Sequence, residues 1–230
     1  MLVKNWMSRN PITIDEDDSM QHASSVMREH RIRMLPVLKN GKLVGVVSDS
    51  DLKRASASDA TMLDIHELLY LISKIRVRDI MTKTPISVLE DFTVEETAQT
   101  LMEHNISGVP VMDKSGRLVG VITRNDIFKL LISLSGLDKK GIQFAFLTED
   151  KAGSIKDLTD VIREYHGRIA SVLSASEYAP EGKRVVYLRI YDIDRSVMPD
   201  MIRKLSERAS LVYVVDHRDN KRQIFQEIQA

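Results

Sequence analysis

The chain has 230 residues, 43% hydrophobic and 29% charged, with 33 basic residues against 33 acidic ones. That is enough apolar chain for one or two buried cores, and it carries no net charge to draw it to nucleic acid or an anionic membrane. The absence of cysteine excludes disulfides and thiolate metal sites. No apolar run approaches the roughly 20 residues of a membrane span, and Met1-Leu2-Val3-Lys4-Asn5-Trp6 lacks the apolar core of a signal peptide, so a cytoplasmic location is expected.

From its start the chain reads as one unit written twice. Met7-Ser8-Arg9-Asn10-Pro11-Ile12-Thr13-Ile14 returns as Met81-Thr82-Lys83-Thr84-Pro85-Ile86-Ser87-Val88, and Leu43-Val44-Gly45-Val46-Val47-Ser48-Asp49-Ser50-Asp51-Leu52 returns as Leu118-Val119-Gly120-Val121-Ile122-Thr123-Arg124-Asn125-Asp126-Ile127. Met7 and Met81 are 74 positions apart and Asp51 and Asp126 are 75 apart, so the second copy holds one more residue, in the turn where Lys39-Asn40-Gly41 matches Asp113-Lys114-Ser115-Gly116.

Each copy opens with a short apolar strand, followed by an acidic, cap-rich stretch (Asp15 to Ser19; Glu90 to Thr93) that predicts a helix start. Met20, Ala23, Val26 and Met27, and in the second copy Val94, Thr97, Ala98 and Leu101, keep helical spacing and predict core faces. Leu35-Pro36-Val37-Leu38 and Val109-Pro110-Val111-Met112 read as buried strands, each turned by Gly41 or Gly116 into the Leu-Val-Gly strand. Each copy is therefore β-α-β-β-α. Between them, Met62, Ile65, Leu68, Leu69 and Ile72 follow Ser58-Asp59 with a helical period, which predicts an amphipathic helical connection over 58–76.

These paired elements resemble the CBS domain, a family that occurs in tandem pairs binding adenosyl ligands. The resemblance places one copy at 1–57 and the other at 77–135. Ser48-x-x-Asp51 and Thr123-x-x-Asp126 each follow a strand that ends at a helix start, where free amides attract phosphate, a hydroxyl can bond a phosphate oxygen, and a carboxylate can accept from both ribose hydroxyls. The same residues are also common helix caps. The resemblance implies two clefts, with Asp51 working beside Ile106 and Ser107, and Asp126 beside Ile32 and Arg33, for AMP, ADP, ATP or another adenosyl compound. If the flanking side chains reach the phosphate path, Asp49 disfavours polyphosphate in one cleft while Arg124, with Arg33, favours it in the other. If they point into solvent, that asymmetry disappears.

Beyond Gly136, Asp138-Lys139-Lys140-Gly141 marks a boundary. A strand (Ile142 to Leu147), a helix carrying Ile155, Leu158, Val161 and Ile162, two strands (Ile169 to Ser176; Arg184 to Ile190), a helix carrying Met198, Met201, Ile202 and Leu205, and a strand (Leu211 to Val215) follow in the order βαββαβ. With Ala152-Gly153-Ser154-Ile155 after the first strand, residues 140–217 resemble an ACT domain of ferredoxin-like fold, a regulatory module that often binds amino acids where copies meet. Ala152 stands where that family commonly has proline, and Gly153 serves equally as a plain turn glycine. Residues 218–230 are read as a solvated tail; their mixed charge is too short a stretch for a nucleic-acid recognition helix.

The whole is thus expected to be α+β, a tandem CBS pair plus a ferredoxin-like βαββαβ ACT domain. The six histidines include no i, i+4 pair, and no nucleotide-binding glycine loop is present, so neither a metal site, a cofactor nor a catalytic set is predicted. The order of a CBS pair and then an ACT domain resembles the AcuB-type proteins of acetoin utilisation, which implies a non-catalytic regulatory protein, a homodimer, that senses adenine nucleotide and acts on a partner. A ligand-free structural adaptor and an amino-acid sensor remain as alternative readings.

Overall fold

In this computed structural model residues 1–58 and 74–228 are described, so the five apolar positions of the predicted connecting helix lie outside the described residues. The first copy runs β1 (Ser8–Arg9), β2 (Ile14–Asp15), α1 (Met20–Glu29), β3 (Met34–Lys39), β4 (Lys42–Ser48) and α2 (Asp49–Ser58). The second repeats it as α3 (Val77–Ile80), β5 (Thr82–Lys83), β6 (Val88–Leu89), α4 (Val94–Glu103), β7 (Gly108–Met112), β8 (Leu118–Thr123) and α5 (Arg124–Leu134). Helix starts are set by side-chain oxygens: Ser19 Oγ accepts the His22 amide at 3.1 Å, and Thr93 with Glu96 closes a reciprocal capping box. The faces so presented bury Met20, Ala23 and Met27 in α1, and Val94, Thr97 and Leu101 in α4. His30 and His104 stand at the equivalent C-caps of these helices.

The copies are interleaved. β2, β3 and β4 form a sheet whose fourth strand is β5 of the second copy, while β6, β7 and β8 take β1 of the first copy as theirs. Ser8 lies opposite Val121 and Arg9 opposite Gly120; reciprocally, Gly45 lies opposite Lys83 and Val46 opposite Thr82. The crossing explains two repeated residue types together. A Cβ on Gly45 would sit 2.5 Å from Met81 Sδ and 3.0 Å from the Thr82 carbonyl oxygen, and one on Gly120 would sit 2.5 Å from Met7 Sδ and 2.9 Å from the Ser8 carbonyl oxygen. Each methionine therefore lies over the other copy's glycine. A two-residue strand has no alternation to reveal it, so β1 and β5 extend the β-α-β-β-α reading.

The chain's contacts divide it into two compact units, 1–128 and 129–230, the division falling within α5. The second unit contains β9 (Ile142–Glu149), α6 (Ser154–Glu164), β10 (Arg168–Ala175), β11 (Lys183–Tyr191), α7 (Met198–Arg208), β12 (Ser210–Asp216) and β13 (Lys221–Ile224). Its sheet has the order β10-β11-β9-β12-β13, with every neighbouring pair antiparallel. The first four strands have the order of a ferredoxin-like βαββαβ sheet. Phe144, Phe146, Leu188 and Ile190 from the central strands pack with Leu158 and Ile162 of α6 and Met201 and Leu205 of α7, all fully buried.

The segment read as a solvated tail is exposed, but it includes a strand. The Asp216 carboxylate accepts the Arg218 and Asp219 amides, Asn220 turns with a positive φ of 51°, and β13 then pairs back on β12. An Asx turn and an exposed edge strand need no apolar alternation, which is why Lys221-Arg222-Gln223-Ile224 carries little strand signal.

Candidate functional site

Ser48 ends β4 and Thr123 ends β8, each as the residue before a helix. Ser48 donates both its amide and its hydroxyl to Asp51 Oδ2, at 2.9 and 2.6 Å, and its Oγ accepts the Asp51 amide at 3.3 Å. Thr123 repeats the arrangement with Asp126 Oδ2, at 3.0 Å from its amide and 2.7 Å from its hydroxyl. All four side chains are half-buried. The capping role is therefore present in both copies, and in the first the second carboxylate oxygen is also engaged, Asp51 Oδ1 lying 3.3 Å from the Arg54 guanidinium.

The segments ahead of the proline strands lie beside these junctions. The Arg33 carbonyl accepts the Asp49 amide at 3.0 Å, and the Ser107 carbonyl accepts the Arg124 amide at 2.9 Å. Each segment is thus tied by backbone to the junction of its own copy. The copies meet at the strand starts: the Met34 methyl is 3.3 Å from where a Cβ on Gly108 would stand. Ile32 and Ile106, two residues before those positions, are half-buried, while Arg33 and Ser107 are exposed. The two copies thus carry equivalent groups beside their junctions, and Met34 and Gly108 join one copy to the other.

The charges flanking the junctions are used locally. Asp49 Oδ2 pairs with Lys53 Nζ at 2.7 Å, and Arg124 Nη2 reaches the Leu101 carbonyl at 3.4 Å and Asn105 Oδ1 at 3.3 Å. Arg124 therefore sits at the C-terminal end of α4, where carbonyls lack helical partners and a cation is favoured. Both side chains are thus paired within their own copy. Sequence reasoning did not single out Met34, Gly108 or Asn105; the first two are joined only by the packing of one copy on the other.

Asp113 is a further buried carboxylate, 9% exposed, in the turn between β7 and β8. It accepts the Ser115 hydroxyl and amide at 2.6 and 2.8 Å and the Arg117 amide and Nε at 2.9 and 2.8 Å. Those bonds, the Ser115 hydroxyl first and the Arg117 amide next, hold its carboxyl well below the ordinary aspartate range. This network fixes the turn at Gly116 and belongs to the scaffold.

In the second unit Gly153 adopts φ 94° at the N-cap of α6, with nothing within 4 Å of a built Cβ. Ala152 is exposed, Ile155 half-buried, and Ser154 is buried with its hydroxyl on the Lys151 carbonyl at 3.1 Å. Among the described residues no group of three His, Asp or Glu side chains could hold a metal, and no helix is long and apolar enough to cross a membrane.

Two interleaved β-α-β-β-α copies with equivalent polar strand-to-helix junctions define a paired α+β module. The family described as CBS domain matches residues 3–58 and 77–133. A CBS domain-containing protein of Dictyostelium discoideum is 36% identical over 136 residues, 58% of this chain and 93% of that protein. The chain belongs to the CBS-domain family. It is also 35% identical to the L-aspartate semialdehyde sulfurtransferase of Methanocaldococcus jannaschii over 130 residues, but these make up only 23% of that enzyme. Among solved structures, a putative acetoin utilization protein (AcuB) from Vibrio cholerae aligns with a TM-score of 0.51 and 28% identity over 61% of this chain and 96% of that one.

Proposed function

We propose that this chain is a non-catalytic regulatory protein that binds an adenine nucleotide, AMP, ADP, ATP or another adenosyl compound, at the Ser48–Asp51 and Thr123–Asp126 junctions. The observation that carries the reading is the duplicated junction itself. In both copies a hydroxyl and a carboxylate are held together at the end of a strand, half-buried and beside helix amides, as a phosphate and a ribose require. In this reading Ile32, Arg33, Ile106 and Ser107, in the segments tied by backbone to the junctions, would contact the base and the phosphates. Membership of the CBS family supports this reading, and so does the match to a small part of a larger enzyme, which fits an accessory module rather than a catalytic one.

In the same proposal the second unit is an ACT domain, supported by its βαββαβ order and strand arrangement, and the assembled protein is a homodimer in which adenylate binding is passed to the ACT domain or to a partner. Likeness to the Vibrio cholerae protein supports a place beside acetoin utilisation. Coupling requires the nucleotide to bind two arrangements of the protein unequally. The local engagement of Asp51, Asp49 and Arg124 favours one other reading, an adaptor whose junctions are purely structural.

Isothermal titration with AMP, ADP, ATP and S-adenosylmethionine, on the protein and on Asp51→Ala and Asp126→Ala variants, separates the two. A sensor shows saturable adenylate binding lost with one or both carboxylates, and at 100 times Kd it gains about 2.7 kcal/mol of stability. An adaptor shows no heat and no thermal shift with any of the four.

A further inference from the structure

At the end of the second unit's sheet opposite the Gly153 loop, the start of β9 and the ends of β11 and β12 come together. A hollow of about 730 Å³ opens there, lined by Lys139, Lys140, Gly141, Tyr191, Asp192, Ile193, Asp194, Arg195 and Arg218. Its volume suits a small organic ligand.

The charges lining it do not balance. Asp192 is taken by Arg168, 3.4 Å away, and Asp194 accepts the Ser196 amide and hydroxyl at 2.9 and 2.6 Å. Arg195 is matched by Asp216, and Lys139 lies 3.6 Å from Asp138. The Lys140 and Arg218 side chains are exposed and have no partner among the described residues; set against the Asp194 carboxylate, whose serine partner is neutral, they leave one net positive charge. The apolar wall is the half-buried Tyr191 with the buried Ile193.

Two further features belong to the same end of the sheet. Lys140 and Asp192, both lining the hollow, hold left-handed backbone, at φ 45° and 56°, conformations that cost energy in residues with a side chain and gather at binding sites. Arg189 stands two residues before Tyr191, on the same face of β11. It is only 5% exposed, gives Nη2 to Gln143 Oε1 at 2.6 Å, and keeps Nε and Nη1 without an acceptor; His217 Nε2, beside Arg218 in the chain, is likewise buried and unmet. Neither side chain lines the hollow, and the two Arg189 donors without an acceptor add positive charge at this end of the sheet.

We propose that this hollow is an anion-binding site for a small organic phosphate monoester, its dianion met by Lys140 and Arg218 and its organic group laid against Tyr191 and Ile193. The dianion is met by the two cations that have no ion partner, and a guanidinium fork with an ammonium is a usual phosphate pair. The site is separate from the Ser48–Asp51 and Thr123–Asp126 junctions and stands or falls independently of the nucleotide proposal.

The test is titration of the full-length 15N-labelled protein with phenyl phosphate, read from backbone amide shifts, with benzoate as the monoanionic comparison. Saturable shifts clustered at 139–141, 191–195 and 218, weakened about tenfold or more in Lys140→Ala/Arg218→Ala, establish the site. Shifts confined to 48–51 and 123–126, unchanged affinity in the double variant, or benzoate binding more tightly than phenyl phosphate overturns it. Both replaced side chains are exposed; should the double variant not fold, Arg218→Gln alone is read against the same outcomes.

Discussion

Replacing Gly45 by alanine tests the interleaving directly. Elsewhere in a strand this change would stabilise the chain by roughly 0.5–1 kcal/mol, because glycine gives up the most conformational freedom on folding. Here the added methyl meets Met81 Sδ at 2.5 Å, which can swing aside, and the Thr82 carbonyl at 3.0 Å, which is held by strand pairing. Overpacking of this kind costs about 1–3 kcal/mol. The net loss is therefore between about zero and 2.5 kcal/mol, centred near about 1 kcal/mol, or roughly 2–4 °C in Tm at about 2–4 °C per kcal/mol. Gly120→Ala should cost slightly more, since its methyl meets Met7 Sδ at 2.5 Å, Met7 Cγ at 2.9 Å and the Ser8 carbonyl at 2.9 Å. Thermal and urea melts of the single and double variants provide the assay. Met81→Ala should recover part of the loss in Gly45→Ala, whereas Met7→Ala should simply add to it. A Gly45→Ala protein that melts above the parent, or equal rescue by either methionine replacement, would refute the crossed packing.

Three other expectations follow from particular contacts. Arg54→Ala frees Asp51 Oδ1 from its guanidinium partner and should tighten adenylate binding in the first cleft a few-fold by calorimetry; weaker binding would mean that Arg54 itself contacts the ligand. Asp113→Asn removes an acceptor of four hydrogen bonds and should lower Tm at neutral pH. Because the folded carboxyl titrates below its unfolded value, its contribution is fully present above the ordinary aspartate range and fades as pH falls through the lowered folded value, so the Tm gap between this variant and the parent protein should narrow toward about pH 3. A gap that widens on acidification would contradict that sign. Phe144→Ala deletes a fully buried ring stacked 5.9 Å from Phe146 and should cost about 3–5 kcal/mol, measured by denaturant unfolding; a loss below about 1 kcal/mol would place Phe144 outside the core.

Local chemistry was legible in the chain wherever it repeats within a few residues. Duplication of the Gly-bearing strands, the Ser19 and Thr93 caps, and the helical spacing of Met20, Ala23 and Met27 each rest on neighbours along the chain, and the structure carries all three. The hydroxyl and carboxylate of Ser48 and Asp51, three residues apart at a strand end, could be seen to meet, since a helix start brings those positions together. The β13 strand was less visible, because its exposed edge needs neither alternation nor apolar residues.

What tertiary structure alone decided is of another kind. Which sheet receives β1 and β5 depends on pairings between residues more than 30 positions apart, and no local periodicity encodes them. The same holds for the contact of Met34 with Gly108 and for the directions of Asp49 and Arg124, whose long or charged side chains choose among several nearby partners at little difference in energy. By itself the sequence determined the repeated units, their elements and the residue types at each junction, because those follow from spacing and local hydrogen bonding. Their crossing, and the partners their charges adopt, came from packing distant segments into the same space.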